Sequence, residues 1–130
     1  MVRRVLPGIN IQYPISRMIL DGIKTIETRT YPIPQQYVGK EMLIVETPGP
    51  KEKFKARLVG TIVFGESFQY NTSKVFYSDK DRHQVTPDSP WRWVTTKPKW
   101  GWPILRVQTF KKPKAAPSRR GIKFTLSISY

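Results

Sequence analysis

Apolar positions along this chain come in short runs, each closed by proline or glycine, and the spacing within a run predicts its element. Residues 1–9 read as a loose basic lead-in and Asn10 to Tyr13 as a short strand. Pro14 then suits the first turn of a helix, where its missing N–H would have no partner anyway. Ile15, Met18 and Ile19 form an apolar stripe at helical spacing, and Gly22 supplies a left-handed stop. Lys24 to Tyr31, rich in β-branched residues, predicts a strand ended by Tyr31-Pro32-Ile33-Pro34. Gln35 to Gly39 is a loop or a single helical turn, and Glu41 to Thr47 is a second strand closed by Pro48-Gly49-Pro50.

The next stretch changes period. Lys51, Lys53, Lys55 and Arg57 alternate with Phe54, Ala56 and Leu58, which puts the cations on one face of an extended segment. Gly60 to Phe64 continues that strand or starts another after a bulge. Asn71 or Thr72 caps a helix running to about Gln84, with Val75 and Phe76 facing inward. Thr86 to Pro103 reads as a Pro- and Trp-rich loop, Ile104 to Phe110 as a strand, Lys111 to Gly121 as a basic loop, and Ile122 to Tyr130 as the last strand. There is no internal repeat. The expected fold is α+β: one domain, a small, mostly antiparallel β-barrel of five or six strands flanked by short helices, with its core over about residues 10–129.

Composition narrows the function classes. With 130 residues the chain buries roughly two-thirds of its unfolded surface as one domain, and 16 aromatics supply the core. No cysteine is present, which excludes disulfides, thiolate catalysis and Cys-ligated zinc. The basic start reaches Pro7-Gly8 before an apolar run forms, so no signal peptide is expected, and no run is long enough to span a membrane. A cytoplasmic, monomeric protein without a cofactor is the expectation. The 23 Lys and Arg against 9 Asp and Glu leave a net charge of +14, which attracts polyanions. No acidic residue follows Asp88, so residues 89–130 carry ten Lys and Arg and a local charge of +10. Nucleic acid, RNA or DNA, is the leading partner.

One segment is specific. Gly22-Ile23-Lys24-Thr25-Ile26-Glu27-Thr28-Arg29 has the form G-x-K-x-x-E-x-R and sits between the Pro14 helix and a strand. Gly60-Thr61-Ile62-Val63 follows, then Trp100-Gly101-Trp102-Pro103-Ile104-Leu105-Arg106-Val107, with Pro113 and Arg120-Gly121 behind them. In this order, over residues 9–126, the segments resemble the ASCH domain, a family related to the PUA fold. The resemblance implies a β-barrel with a cleft beside the first helix, lined by the motif. It also implies binding of RNA or other nucleic acid. Some members are hydrolases of N4-acetylated cytidine and others ribonucleases, so fold is implied more firmly than activity.

Within the motif, Glu27 and Arg29 are two apart on a strand and share a face. Either they form an ion pair that pins the strand, or they line a polar pocket. There the carboxylate accepts from an exocyclic amine while Arg29 or Lys24 meets a phosphate or carbonyl oxygen. As an enzyme the site would use Glu27 as general base and Lys24 as electrostatic stabiliser. The hydrolase pattern is not intact, however. The resemblance places a threonine nucleophile where this chain has Glu27, and Thr25 lies on the wrong strand face to replace it. A catalytic glutamate is implied on a later helix, where Ser73 to Gln84 offers only Asp79, Asp81 and His83. His83 is the single histidine, so two-histidine catalysis within one chain is excluded, and Asp79 to His83 reads as a charged helix surface rather than a metal site.

The tryptophans add a stacking surface. Trp91 and Trp93 share a face if extended, as do Trp100 and Trp102, and they lie among Arg92, Lys97, Lys99 and Arg106. Aromatics interleaved with cations offer base stacking and phosphate attraction together. Trp100 is the expected exposed platform and Trp102 the packed one. The backbone track is expected along Lys51, Lys53, Lys55, Arg57, Lys111, Lys112, Lys114, Arg119 and Arg120. Two functions compete: a nucleic-acid-binding module whose cleft reads one nucleotide, modified or not, and a small hydrolase using the same cleft. A basic accessory protein with a vestigial cleft is the third.

Overall fold

The computed structural model describes residues 5–116 in full and 124–129 by their backbone. Strand β1 is Val5–Gln12, followed by helix α1, Ile15–Leu20, and β2, Ile26–Arg29. A 3-10 turn at Gln35–Tyr37 leads to β3, Met42–Thr47, and β4, Arg57–Phe64. Then come β5, Phe68–Tyr70, α2, Ser73–Ser78, α3, Lys80–His83, β6, Lys99–Ala115, and β7, Phe124–Ser129. The strands form one curled mixed sheet, a half-barrel, in the order β2-β6-β4-β3-β1-β7 with β5 also on β6. β1 and β3 run parallel, Ile9 opposite Ile44, and every other pair is antiparallel.

The apolar periods build the interior as expected. Ile9 and Ile11 of β1, Ile19 of α1, Met42 and Ile44 of β3, Ile62 and Phe64 of β4 and Trp102 of β6 form the main core. Trp102 meets Phe64 edge-to-face at 5.4 Å between ring centroids, and its indole N–H donates to the Tyr31 carbonyl at 3.0 Å. Glu46 is also fully buried. It accepts from Ser16 Oγ at 2.6 Å and from Arg57 Nε at 2.7 Å, which ties α1 and β4 to β3.

Several elements differ from the expectation, each for a local reason. β1 begins at Val5 because β7 and β3 pair with it on both sides, so residues 5–9 are strand rather than lead-in. β6 runs through Lys99–Ala115 and absorbs parts of both expected loops. Its partners jump from Gly60 opposite Thr109 to Leu58 opposite Lys114, a bulge that accommodates Pro113. The expected helix to Gln84 breaks at Asp79, which accepts from Tyr70 Oη and from the Arg82 guanidinium, and α3 ends at Gln84 with φ 61°. Thr72 is the cap, accepting from Val75 N–H at 3.1 Å, but Val75 itself is exposed while Phe76 is buried. Lys51 to Lys55 do not pair into a strand, although exposure still alternates along them. Among the described residues no helix is long and apolar enough to cross a membrane.

The stop after α1 behaves as its glycine predicts. Gly22 adopts φ +77°, and the N–H groups of Ile23 and Lys24 both donate to the Met18 carbonyl, at 2.9 and 3.1 Å. This reversal turns Lys24 inward. A Cβ at Gly22 would meet nothing within 4 Å, so Gly22→Val should lose about 1–2 kcal/mol from backbone strain alone. Gly22→Asn should lose less, because asparagine tolerates the left-handed region. Urea denaturation of both checks the order, and equal stability of Gly22→Val and wild type would remove the argument.

Candidate functional site

The reversal at Gly22 delivers Lys24 to the start of β2, and β2 carries Glu27 and Arg29 opposite Trp102 and Trp100 of β6. Lys24 is 3% exposed and Glu27 6%, so this is a buried ion cluster. Lys24 Nζ donates to the His83 carbonyl and lies 3.7 Å from Glu27 Oε1. Glu27 also accepts from its neighbour Thr28 N–H at 3.2 Å and from Arg29 Nη2 at 3.0 Å. The same Arg29 nitrogen donates to the Asn10 carbonyl at 3.0 Å, which fastens β2 to β1. Burial lowers the Lys24 ammonium below its usual range; Glu27 opposes that shift and Arg29 adds to it.

Behind the cluster stands His83, fully buried and stacked on Phe76 with centroids 4.1 Å apart. Its Nδ1 accepts from Val85 N–H at 2.9 Å, so the ring proton resides on Nε2, which donates to the Phe76 carbonyl at 2.7 Å. Burial also lowers the imidazole pKa, and the ring is a neutral structural group. It is neither the surface residue expected from Asp79 to His83 nor a ligand. Among the described residues no three His, Cys, Asp or Glu side chains are grouped to hold a metal.

In front of the cluster opens a cleft of about 660 Å³. Ile15 and Met18 of α1 line it, with Asn10 and Gln12 of β1 and, after α3, Gln84, Val85, Ser89, Pro90 and Trp91. Lys24, Glu27, Thr28 and Arg29 line it, with Thr47 and Pro50 at one margin. The apolar walls and the few convergent polar groups are the usual make-up of a small-molecule or nucleotide site.

The remaining expected site residues divide sharply. Lys51, Lys53 and Lys55 are exposed and follow directly from Pro50 at the cleft margin. Lys111, Lys112 and Lys114 are exposed on β6, not in a loop, and the pairing of Arg57 with Ala115 puts the two basic segments at one end of the sheet. Arg92, Lys97 and Arg106 are exposed, Arg106 opposite Val63 towards the other end of β4. Arg57 is partly exposed but already engaged: it is bonded to Glu46 and lies 4.1 Å from the Phe54 ring centroid. Lys99 is 7% exposed, with Nζ 5.9 Å from the Phe76 centroid; burial first, then Lys24 and Lys97, lower its pKa. Trp100 is half-buried against the main core, because it shares the inward face of β6 with Trp102. Trp91, 45% exposed and lining the cleft, is the accessible tryptophan. Arg119 and Arg120 lie outside the described residues.

The fold that carries this cleft is the ASCH-domain fold. The chain superposes on a crystal structure of a point mutant of ZmASCH from Zymomonas mobilis with TM-score 0.65 and 14% identity, over 92% of this chain and 86% of that one. A crystal structure of ASCH from the same organism gives TM-score 0.60 at 16% identity, over 83% of this chain and 71% of that one. No protein-family model and no curated protein matches the sequence.

Proposed function

We propose that the protein binds nucleic acid, holding one nucleotide in the cleft while the exposed lysines follow the phosphate backbone. The observation that carries this reading is the charge of the cleft floor: two cations, Lys24 and Arg29, share the single carboxylate of Glu27. Among the described residues, with both side chains protonated, one positive charge is left over at the base of a cleft whose lining residue Pro50 leads into Lys51, Lys53 and Lys55. Such a floor favours an anionic or carbonyl-bearing ligand. The cleft volume of about 660 Å³ admits a nucleotide with a modified base as well as a plain one.

The hydrolase reading is weaker on the same geometry. Among the described residues no hydroxyl hydrogen-bonds to Lys24, and Glu27 is held by two hydrogen-bond donors and the Lys24 ion pair rather than poised as a base. Thr25 is exposed, whereas Lys24 is buried and its Nζ donates to the His83 carbonyl.

The test is fluorescence anisotropy with short RNA and DNA oligonucleotides. Lys24→Met keeps the stem and removes the charge, so it should weaken binding by about tenfold, alike for every base. Wild type that binds no oligonucleotide at low salt would overturn the reading, and turnover of acylated cytidine would replace it with the enzyme.

A further inference from the structure

Trp91 has a position that packing alone does not explain. Its indole is 45% exposed at the cleft, whereas Trp102 is fully buried, Trp100 is half-buried, and Trp93 lies against Phe76 at 5.7 Å between centroids. A tight turn presents it. The Trp91 backbone N–H donates to Ser89 Oγ at 3.0 Å, and Arg92 donates to the Ser89 carbonyl from its backbone at 3.1 Å and its guanidinium at 3.3 Å. Pro90 stiffens the turn further. Among the described residues the indole N–H makes no hydrogen bond and its ring faces no cation or aromatic partner.

We infer that Trp91 is the stacking platform for an unpaired base whose nucleotide occupies the cleft, opposite the charged floor of Lys24 and Arg29. The inference rests on the nucleic-acid reading above and deepens it. An exposed indole face is costly in water and gains by covering a second π surface. The cations supply the complementary half, because a nucleotide joins an apolar base to a charged phosphate. A base inside a duplex already has both faces covered by its neighbours, so only an unstacked base can use this platform. Single-stranded and flipped-out nucleotides are therefore the class selected.

The experiment measures affinities of wild type, Trp91→Ala and Trp91→Phe for a single-stranded oligonucleotide, RNA and DNA, and for the fully paired duplex. Trp91 is exposed, so both variants should melt with wild type, which the same samples check. Trp91→Ala should weaken single strands about 5- to 150-fold and Trp91→Phe by less than about threefold, while duplex affinity stays level. Single strands should also quench the wild-type tryptophan emission more than the duplex does. If Trp91→Ala binds single strands like wild type while Lys24→Met binds them weakly, the stacking role is overturned and the nucleic-acid reading stands. Equal weakening of strand and duplex also overturns it, since the indole would then be touching backbone. Wild type binding neither would overturn both readings together.

Discussion

Glu27→Gln should destabilise the fold by about 3 kcal/mol near neutral pH, and the gap to wild type should narrow as the solution becomes alkaline. The variant is isosteric, so no cavity forms. What it removes is, among the described residues, the only carboxylate paired with Lys24, a side chain 3% exposed and already held below its usual pKa by burial. Breaking a buried pair from one side leaves the other charge uncompensated, which is why the cost exceeds that of a surface pair. Arg29 is less confined, at 16% side-chain exposure, and retains its bond to the Asn10 carbonyl. Lys24 therefore carries most of the penalty. The pH direction follows from linkage. Between its lowered folded value and the ordinary lysine value near 10.5, Lys24 is protonated in the unfolded chain and not in the folded one. The unfolded state binds more protons there, so stability rises with pH across that window. Glu27 holds the folded value up; without it that value drops further and the window opens at lower pH. Urea denaturation of both proteins from about pH 6 to about pH 9 reads the gap. A gap that is absent at neutral pH would mean that Lys24 is not charged in the fold, and one that ignores pH would mean that Lys24 keeps a single protonation state across the range.

What could be read from the sequence, and what could not, divides between local and non-local causes. Pro14, the stripe of Ile15, Met18 and Ile19, and Gly22 act through neighbouring backbone, so the helix and its stop were legible, whereas the direction of Lys24 hung on the turn at Gly22 and only the fold supplies it. The motif on β2 was legible for the same reason: alternation alone puts Glu27 and Arg29 together. The long β6 was not, because Pro103 and Pro113 read as breaks until a partner strand and a bulge accommodate them. Which cations are engaged inside the fold is harder still to read. Arg57 continues the period of three exposed lysines, yet pairing places it beside Glu46 on the neighbouring strand. Lys99 looks like any loop lysine until β5 pairs with β6 and the ring of Phe76 arrives beside it. The exposed tryptophan was misassigned in the same way. Trp100-Gly101-Trp102 in a strand already implied that both indoles share one face, and with Trp102 in the core Trp100 had to turn inward too.

The largest effect on affinity should come from reversing the two basic segments that meet at one end of the sheet. Lys51, Lys53 and Lys55 follow Pro50, which lines the cleft, and lead into Arg57, whose pairing with Ala115 brings Lys111, Lys112 and Lys114 to the same end of the sheet. A polyanion that left the cleft past Pro50 and continued over that end of the sheet would meet both. Each phosphate neutralised by a lysine contributes about 0.7 to 0.9 to the slope of log affinity against log salt, by release of a condensed counterion. Changing Lys51, Lys53 and Lys55 to Glu should therefore lower that slope by about 2 to 3 and weaken binding on the order of 100-fold at low salt. The loss should be equal for all base sequences, since phosphates carry no sequence. These side chains are exposed, so melting should hardly move. Arg57→Ala is the contrasting variant: it strips a partner from buried Glu46 and should lower stability before it touches affinity. Reversing Lys111, Lys112 and Lys114 then locates the path. If the backbone crosses both segments, this second triple lowers the slope by a similar step. A slope unmoved by the second triple confines the path to the segment after Pro50, and one unmoved by either removes the sheet end from the interface.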